Sequence, residues 1–348
     1  MQSARAVMAA LRQAGHDVVP IGITPDGRWL AGGDPLHALS SGHVDDERSI
    51  AMLAQPGQRG LVPVQPSAPE ALPITDLDVL FPVLHGTYGE DGTVQGLFEL
   101  AAVPYAGAGV LGSALGMDKV VQKTLWRGLG LPVTDFLSVT RRELEDHPNR
   151  VVSEIEETIG YPCFTKPANL GSSVGVSKAT TREDLERGLL TAAQYDAKLI
   201  VEVGIDAREL EVGVLGNDEP RASVVGEIIA GAEFYDYRAK YLDNGSQAII
   251  PADIPTETAD QVRKLAIAAF KALSANGLAR VDFFLERGSD RLLLNEINTM
   301  PGFTNISMYP KLWEASGVPF PELVTRIAEL AIERYQERSR NRTSYSAE

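Results

Sequence analysis

The sequence predicts an α/β protein built from more than one domain, and three observations lead there. Its 348 residues exceed what one compact core accommodates and suit two or three domains. Short, nearly continuous apolar runs, such as 79–84 and 199–203, alternate with longer segments of helical periodicity. Glycine-rich turns follow several of these runs, at the strand ends where ligands bind in open α/β sheets.

The opening segment has Ala4, Val7, Met8 and Leu11 at helical spacing, with Gly15 as its stop, and 16–23 then reads as a strand. A helix leading into a strand leaves a parallel sheet short of a neighbour. Residues 24–76 are rich in Gly, Pro, Ser and Asp, and read as loops with short elements. The apolar run 79–84 fits a buried parallel strand emptying into His85-Gly86-Thr87-Tyr88-Gly89-Glu90-Asp91-Gly92. A helix over 94–101 follows, then a short strand, the glycine-rich 107–112, and a helix over 119–130 ended by Pro132.

A second α/β unit runs from about 133 to 204. It has a helix near 151–159, a strand at 163–166, a Gly/Ser loop, another helix and a strand at 199–203. A third has strands near 210–215 and 223–229, a polar-aromatic loop at 234–245, and a helix over 259–275. Two further strands, 279–285 and 292–297, precede a helix near 322–334 and a polar end.

Bulk properties narrow the function. The formal charge of −15 argues against a general binder of nucleic acid or anionic membrane, though a few local lysines can still hold an anionic nucleotide. Cys163 is the only cysteine, so no internal disulfide forms and a reducing, cytoplasmic setting is expected. No apolar run reaches the roughly 18 residues of a transmembrane helix, and the N-terminus shows no charged-then-apolar signal.

Two short runs carry the most chemistry. In Arg280-Val281-Asp282-Phe283-Phe284 and Asn295-Glu296-Ile297-Asn298, strand alternation puts Arg280 with Asp282 on one face and Glu296 with Asn298 on one face. If the strands pair, Asp282, Glu296 and Asn298 form an oxygen cluster. Adjacent carboxylates repel unless a cation lies between them, and hard oxygens favour Mg²⁺ or Mn²⁺ completed by nucleotide phosphates. Taken singly, each pair also suits the solvated face of an amphipathic strand.

The loop from Lys166 to Gly175 follows a strand and supplies glycines, hydroxyls (Ser172, Ser173) and a lysine suited to phosphate oxygens, without being a Walker A loop. A plain surface hairpin fits it nearly as well. Glu202, at a strand end, suits an adenine amine or a ribose, or is an ordinary terminal charge. Gly107-Ala108-Gly109-Val110-Leu111-Gly112 matches the dinucleotide-binding pattern, but a meagre strand precedes it and no well-placed acid follows, so it reads as a turn.

Taken in order, these runs resemble the D-alanine–D-alanine ligase family of the ATP-grasp superfamily. The carriers are Leu84 through Gly92, Gly116-Met117-Asp118-Lys119, Lys166 through Gly175, Phe234 through Tyr241, Arg280-Val281-Asp282, and Asn295 through Thr304. The resemblance implies a three-domain ATP-grasp fold: a partly parallel N-terminal α/β domain (1–117), a central subdomain (118–208), a C-terminal subdomain (209–336) and a polar tail (337–348). It also implies ATP, two Mg²⁺ (or Mn²⁺) ions and two D-alanines as ligands, ligation through an acyl phosphate for cell-wall peptidoglycan precursors, and a homodimer. Relatives that make D-alanyl-D-lactate or D-alanyl-D-serine are the nearest alternative, and a nucleotide-binding remnant without ligase activity is a more distant one.

By the same resemblance, Lys119, Lys166, Ser172 and Ser173 contact phosphates, and Glu202, Val203, Ile205, Glu209, Phe234 and Phe284 surround the adenosine. Asp282, Glu296 and Asn298 ligate the metals. His85 lies near the first substrate's carboxylate, Arg280 and the Gly302 amide face the tetrahedral oxyanion, and Ser307 binds the second carboxylate. Lys240, which also binds the ATP, and Tyr241 lie on a loop that folds over the site, and in the family this tyrosine, the serine matching Ser172 and an N-terminal Glu form one hydrogen-bonded group. The family ordinarily starts with a further strand and a Ser-x-Glu motif before a Ser-Ala that here is Ser3-Ala4. The expectation is therefore a complete ATP site, an incomplete first amino-acid site, and poorer ligation than by an N-terminally extended chain.

Overall fold

The computed structural model describes residues 1–42, 48–56, 60–64, 77–171, 173–229, 247–304 and 306–342. Three sheets organise them, and every ladder is antiparallel. The first contains β1 (Ile21–Ile23), β2 (Trp29–Ala31), β3 (Arg48–Met52) and β4 (Leu61–Pro63), paired in that order. The second contains β5 (Phe136–Thr140), β6 (Cys163–Pro167), β7 (Ser177–Ala179) and β8 (Lys198–Val203), in the order β5-β8-β6-β7. The third contains β9 (Ala207–Gly216), β10 (Arg221–Ile229), β11 (Gln247–Ile249), β12 (Gly277–Glu286) and β13 (Leu292–Asn298), in the order β11-β10-β9-β12-β13.

The third sheet has two unlike faces because its sequence alternates. Leu210, Val212 and Val214 of β9 and Val281, Phe283 and Leu285 of β12 pack against Val262, Ala266, Ala269 and Phe270 of the helix Thr256–Ala272. Burying one such side chain is worth about 1.5–3 kcal/mol, so this face anchors the sheet. The opposite face carries Glu209, Glu211 and Gly213 of β9 beside Phe284, Asp282 and Arg280 of β12, their cross-strand partners. The helix Met308–Ala315 covers the small end of that face. A β-carbon on Gly213 would lie 2.7 Å from Trp313 Nε1, and one on Gly226 would lie 2.6 Å from Met308 Cε, so only glycine admits this packing.

A bulge in β13 sorts its residues between the faces. Plain alternation would place Leu294 and Glu296 on one side, yet Leu294 pairs with Phe283 in the core while Glu296 pairs with Asp282 on the polar face. The register shift falls between Asp282 and Phe283, leaving Asn295 as the extra residue. Ile297 then returns to the core beside Val281.

The N-terminal region departs from the sequence reading in detail. Strand 16–23 shortens to Ile21–Ile23, and 24–76 contains β2, β3, β4 and the helix Pro35–Ser41, which Asp34 caps. The run 79–84 is not a ladder strand. It makes one parallel bridge, Leu80 with Tyr105, closed by Leu80 N–H donating to Pro104 O and Ala106 N–H donating to Leu80 O, each at 2.8 Å. Among the described residues only this one neighbour lies alongside. The run is apolar throughout because both sides are covered: Leu80 and Leu84 join the cluster around Phe98 and Tyr105, while Phe81 and Val83 join the one around Phe303 and Tyr309. The dinucleotide-like run is a turn at Gly107 (φ +93°), and Gly109 begins the helix Val110–Met117. Its Gly112 packs on Ser274 O, 2.8 Å from where a β-carbon would be. At the other end, the last helix, Phe320–Ser339, continues past residue 336 into the segment expected to be a tail.

Candidate functional site

The polar face of β9, β12 and β13 is the first wall of a candidate site. The Arg280 guanidinium donates to both oxygens of Asp282, at 2.7 and 2.6 Å, and its Nε lies 3.0 Å from Glu211 Oε2. Burial opposes a charge there, but Asp282 and Glu211 more than offset it, so the arginine's pKa is raised. Asn298 donates through Nδ2 to Asp282 Oδ2 at 3.1 Å. The register thus gathers Arg280, Asp282, Glu296 and Asn298, as the sequence predicted, and adds Glu211, which it did not. Glu209-Leu210-Glu211 has the alternation that could have shown it. Among the described residues no three acidic, histidine or cysteine side chains form a ready cation cage. The set is two cross-strand carboxylates and an amide, hard donors that fit a cation also held by phosphates.

The second wall comes from β6, β8 and the helix Lys119–Gly128. Asp118 caps that helix, accepting from the N–H groups of Val120 and Val121 at 3.0 Å, and it pairs with Lys198 at 2.6 Å. Lys119 Nζ donates to Leu170 O at 2.7 Å and lies 3.4 Å from Glu296 Oε2, so one lysine touches both the glycine-rich loop and the first wall. Gln122 fixes this approach: it donates to Gly116 O and accepts from Ile297 N–H, both at 3.1 Å. Asp196 accepts from the Asn169 backbone and side chain, at 2.8 and 2.9 Å, and holds the loop's start.

Lys166 and Glu202 occupy the same face of the second sheet and form an ion pair. Glu202, expected at the adenosine, is only 3% exposed and closed in by lysines, because Lys123 Nζ lies 2.7 Å from its other oxygen. Burial would raise this carboxyl's pKa, but the two ammonium groups pull it down to about 2. The sequence reading missed Lys123, since a lysine four residues after Lys119 looks like a solvated helix face. Val203 and Ile205 are half-buried at the strand's end, Glu209 is exposed at the start of β9, and Phe284 is half-buried on the polar face.

The residues expected at the substrates fall in two loops. His85 is exposed, its Nδ1 3.9 Å from Glu90 Oε1, in a loop stabilised by Asp91 accepting from the N–H groups of Tyr88 and Thr93 at 2.8 and 2.9 Å. Ser307 Oγ accepts from Thr304 N–H at 3.0 Å, and a β-carbon on Gly302 would lie 2.9 Å from it, so Gly302 and Ser307 form one tight turn. The Phe303 N–H in that turn donates to Ser3 Oγ at 3.3 Å, which ties it to the first helix, Gln2–Gln13. Ser173 adopts φ +58° within the glycine-rich loop. Ser172, Phe234, Lys240 and Tyr241 lie outside the described residues.

Comparison with known proteins shows the family. The family model described as D-ala D-ala ligase C-terminus matches residues 125–329, and the one described as D-ala D-ala ligase N-terminus matches residues 1–108. The chain is 49% identical to a D-alanine--D-alanine ligase of Acetivibrio thermocellus, over 96% of this chain and 92% of that one. It is 48% identical to one of Heliobacterium modesticaldum, over 99% and 93%. Among solved structures, the D-alanine-D-alanine ligase from Coxiella burnetii superposes with TM-score 0.81 at 35% identity, over 97% of this chain and 92% of that one. The VanG D-Ala:D-Ser ligase from Enterococcus faecalis superposes with TM-score 0.83 at 34% identity, over 95% and 94%. This chain belongs to the D-alanine–D-alanine ligase family.

Proposed function

We propose that the chain joins two D-alanines into D-alanyl-D-alanine, with ATP converted to ADP and phosphate, and so supplies peptidoglycan precursor synthesis in the cytoplasm. Among the described residues no helix is long and apolar enough to cross a membrane, which accords with that setting. The observation that carries the reading is Lys119, 3.4 Å from Glu296 and bonded to Leu170 O, where a wall of lysines meets a wall of carboxylates. A triphosphate needs the lysine wall and its cation the carboxylate wall. The second sheet lies within 118–208 and all but the first two residues of the third within 209–336, which supports those subdomain boundaries.

A carboxylate is a poor electrophile, so the first D-alanine must be activated as an acyl phosphate before an amine attacks it. Lys119, Lys166 and the loop with Ser172 and Ser173 are assigned to the phosphates. Glu209, Phe284, Phe234 and the backbone of Val203 and Ile205 are assigned to the adenosine, with Glu202 closing the cluster behind Lys166. Asp282, Glu296 and Asn298 would hold Mg²⁺ or Mn²⁺, which when bound screens phosphate charge from the approaching carboxylate.

His85 is assigned to the first substrate's carboxylate and Ser307 to the second's. The second amine's attack creates an oxyanion, for which Arg280 and the Gly302 N–H are the donors. Arg280 is preorganised, since Asp282 and Glu211 already hold its guanidinium. Tyr241 and Lys240 are assigned to closing the site against water, which would hydrolyse the acyl phosphate.

Phosphate release with ATP and D-alanine, L-alanine, D-lactate or D-serine tests this. D-Alanine alone should support turnover and yield the dipeptide. ATP binding without release dependent on D-alanine would overturn the ligase reading. A mixed product favoured over D-alanyl-D-alanine would move it to the lactate- or serine-using relatives.

A further inference from the structure

Lys123 has no place in the reaction as assigned above, yet it is the most deeply buried cation near the site. It lies one turn beyond Lys119 and is 1% exposed. Its Nζ contacts two groups: Glu202 Oε1 at 2.7 Å and Thr134 Oγ1, to which it donates at 2.7 Å. Thr134 is itself 1% exposed. Glu202 Oε2 faces Lys166. One buried carboxylate is therefore shared by two lysines, Lys123 fully enclosed and Lys166 16% exposed.

A structural pair needs only one lysine. Burial lowers the pKa of Lys123, with Glu202 opposing that fall, so the ammonium depends on this carboxylate. For Lys166, burial also opposes the charge, but Glu202, helped by Glu296 and Glu209, outweighs it and the pKa is raised. If Lys166 turned to a phosphate with nothing else beside Glu202, a bare buried carboxylate would remain behind the anion. That charge would repel the nucleotide and draw Lys166 back. Lys123 removes the difficulty, because it stays on Glu202 when Lys166 leaves.

We propose that Lys123 is a positioning residue for nucleotide binding: anchored on Thr134 Oγ1 and paired with Glu202 Oε1, it keeps that carboxylate compensated, so that Lys166 can exchange it for a phosphate oxygen. The inference rests on the assignment of Lys166 to a phosphate. It makes Lys123 a residue that acts on the phosphates without touching them. Removing Lys123 should convert Lys166 and Glu202 into a closed one-to-one pair. Removing Lys123 and the Glu202 charge together restores the cluster's single excess positive charge and frees Lys166.

The test is calorimetric titration of the full chain with ATP and, separately, adenosine, in wild type, Lys123→Met, Lys166→Met, Thr134→Val and the double variant Lys123→Met/Glu202→Gln. Lys123→Met should lose at least tenfold in ATP affinity while adenosine affinity stays within twofold. KM for ATP should rise and KM for D-alanine should not. The double variant should bind ATP several-fold more tightly than Lys123→Met. Thr134→Val, which keeps all three charges, should weaken ATP about threefold and leave adenosine alone. Equal losses for ATP and adenosine would mean a merely structural lysine and would overturn the proposal, as would unchanged ATP affinity or a double variant weaker than the single. If Lys123→Met does not fold, the double variant and Thr134→Val decide by the same criteria. If neither variant shows the expected ATP-selective change, the proposal is overturned. Lys166→Met separates the two levels. If it loses ATP affinity while Lys123→Met does not, only this inference falls; if it keeps ATP affinity, the phosphate assignment of Lys166 falls with it.

Discussion

The two walls of the site carry opposite charge for opposite reasons. Around β6, β8 and the helix Lys119–Gly128, Lys123 and Lys166 share one carboxylate, Glu202, and Lys119 adds a third ammonium group against Leu170 O. On β9, β12 and β13, three carboxylates (Glu211, Asp282 and Glu296) surround one arginine, Arg280. Each wall is partly neutralised by a buried pair and left with an excess. Buried charge of one sign is costly unless something compensates it. One wall therefore suits an anion and the other a cation, and where they meet, at Lys119 and Glu296, the complement is a metal–polyphosphate.

The largest way to disturb that contrast is to remove the carboxylate in the lysine wall. Glu202→Gln leaves two buried lysines without their shared counter-charge, and chemical unfolding should show a loss of about 3–5 kcal/mol at neutral pH. Because the folded-state pKa of Glu202 lies below the ordinary 4.5, the folded chain favours its ionised form. That stabilisation is complete above about pH 4.5 and drains away as pH falls toward about 2. The gap between variant and wild type should therefore close across that window. A gap independent of pH would contradict the ion-pair account.

In the carboxylate wall, Arg280→Met should lower D-alanine-dependent phosphate release by about 10²–10³-fold, as for loss of one oxyanion donor. Adenosine affinity should not change. A smaller effect is expected where the walls meet the substrate loop. Gly302→Ala places a β-carbon 2.9 Å from Ser307 Oγ, and KM for the second D-alanine should rise about tenfold through displacement of that hydroxyl. Gly116→Ala, whose β-carbon would lie 2.7 Å from Thr299 Cγ2, should have an effect of similar size but on stability alone. Overpacking there should cost about 1–3 kcal/mol of stability, read by thermal unfolding.

The carboxylate wall was the more legible in sequence. Period-two alternation alone brought Arg280 with Asp282 and Glu296 with Asn298, since a strand buried on one face must segregate its charges. The bulge at Asn295 was hidden, because Leu292-Leu293-Leu294 reads as uniformly buried whichever face each residue takes. The lysine wall was less legible because its charges meet through tertiary packing: Lys123 joins Glu202 from 79 residues away, with no periodic mark. In the N-terminal region, strands of three residues carry too little alternation to register. The apolar run 79–84 showed two-sided burial correctly but could not show that, among the described residues, it pairs with a single neighbour.

The central claim is that β12 and β13, held in register by the bulge, present Asp282, Glu296 and Asn298 to a cation carried by the nucleotide. Mn²⁺ binding followed by paramagnetic resonance, in the presence of a non-hydrolysable ATP analogue, measures it directly. Protein-bound Mn²⁺ should appear with the wild-type chain, and Asp282→Asn should weaken it at least tenfold while adenosine still binds. Equal Mn²⁺ binding by the two chains would contradict the account.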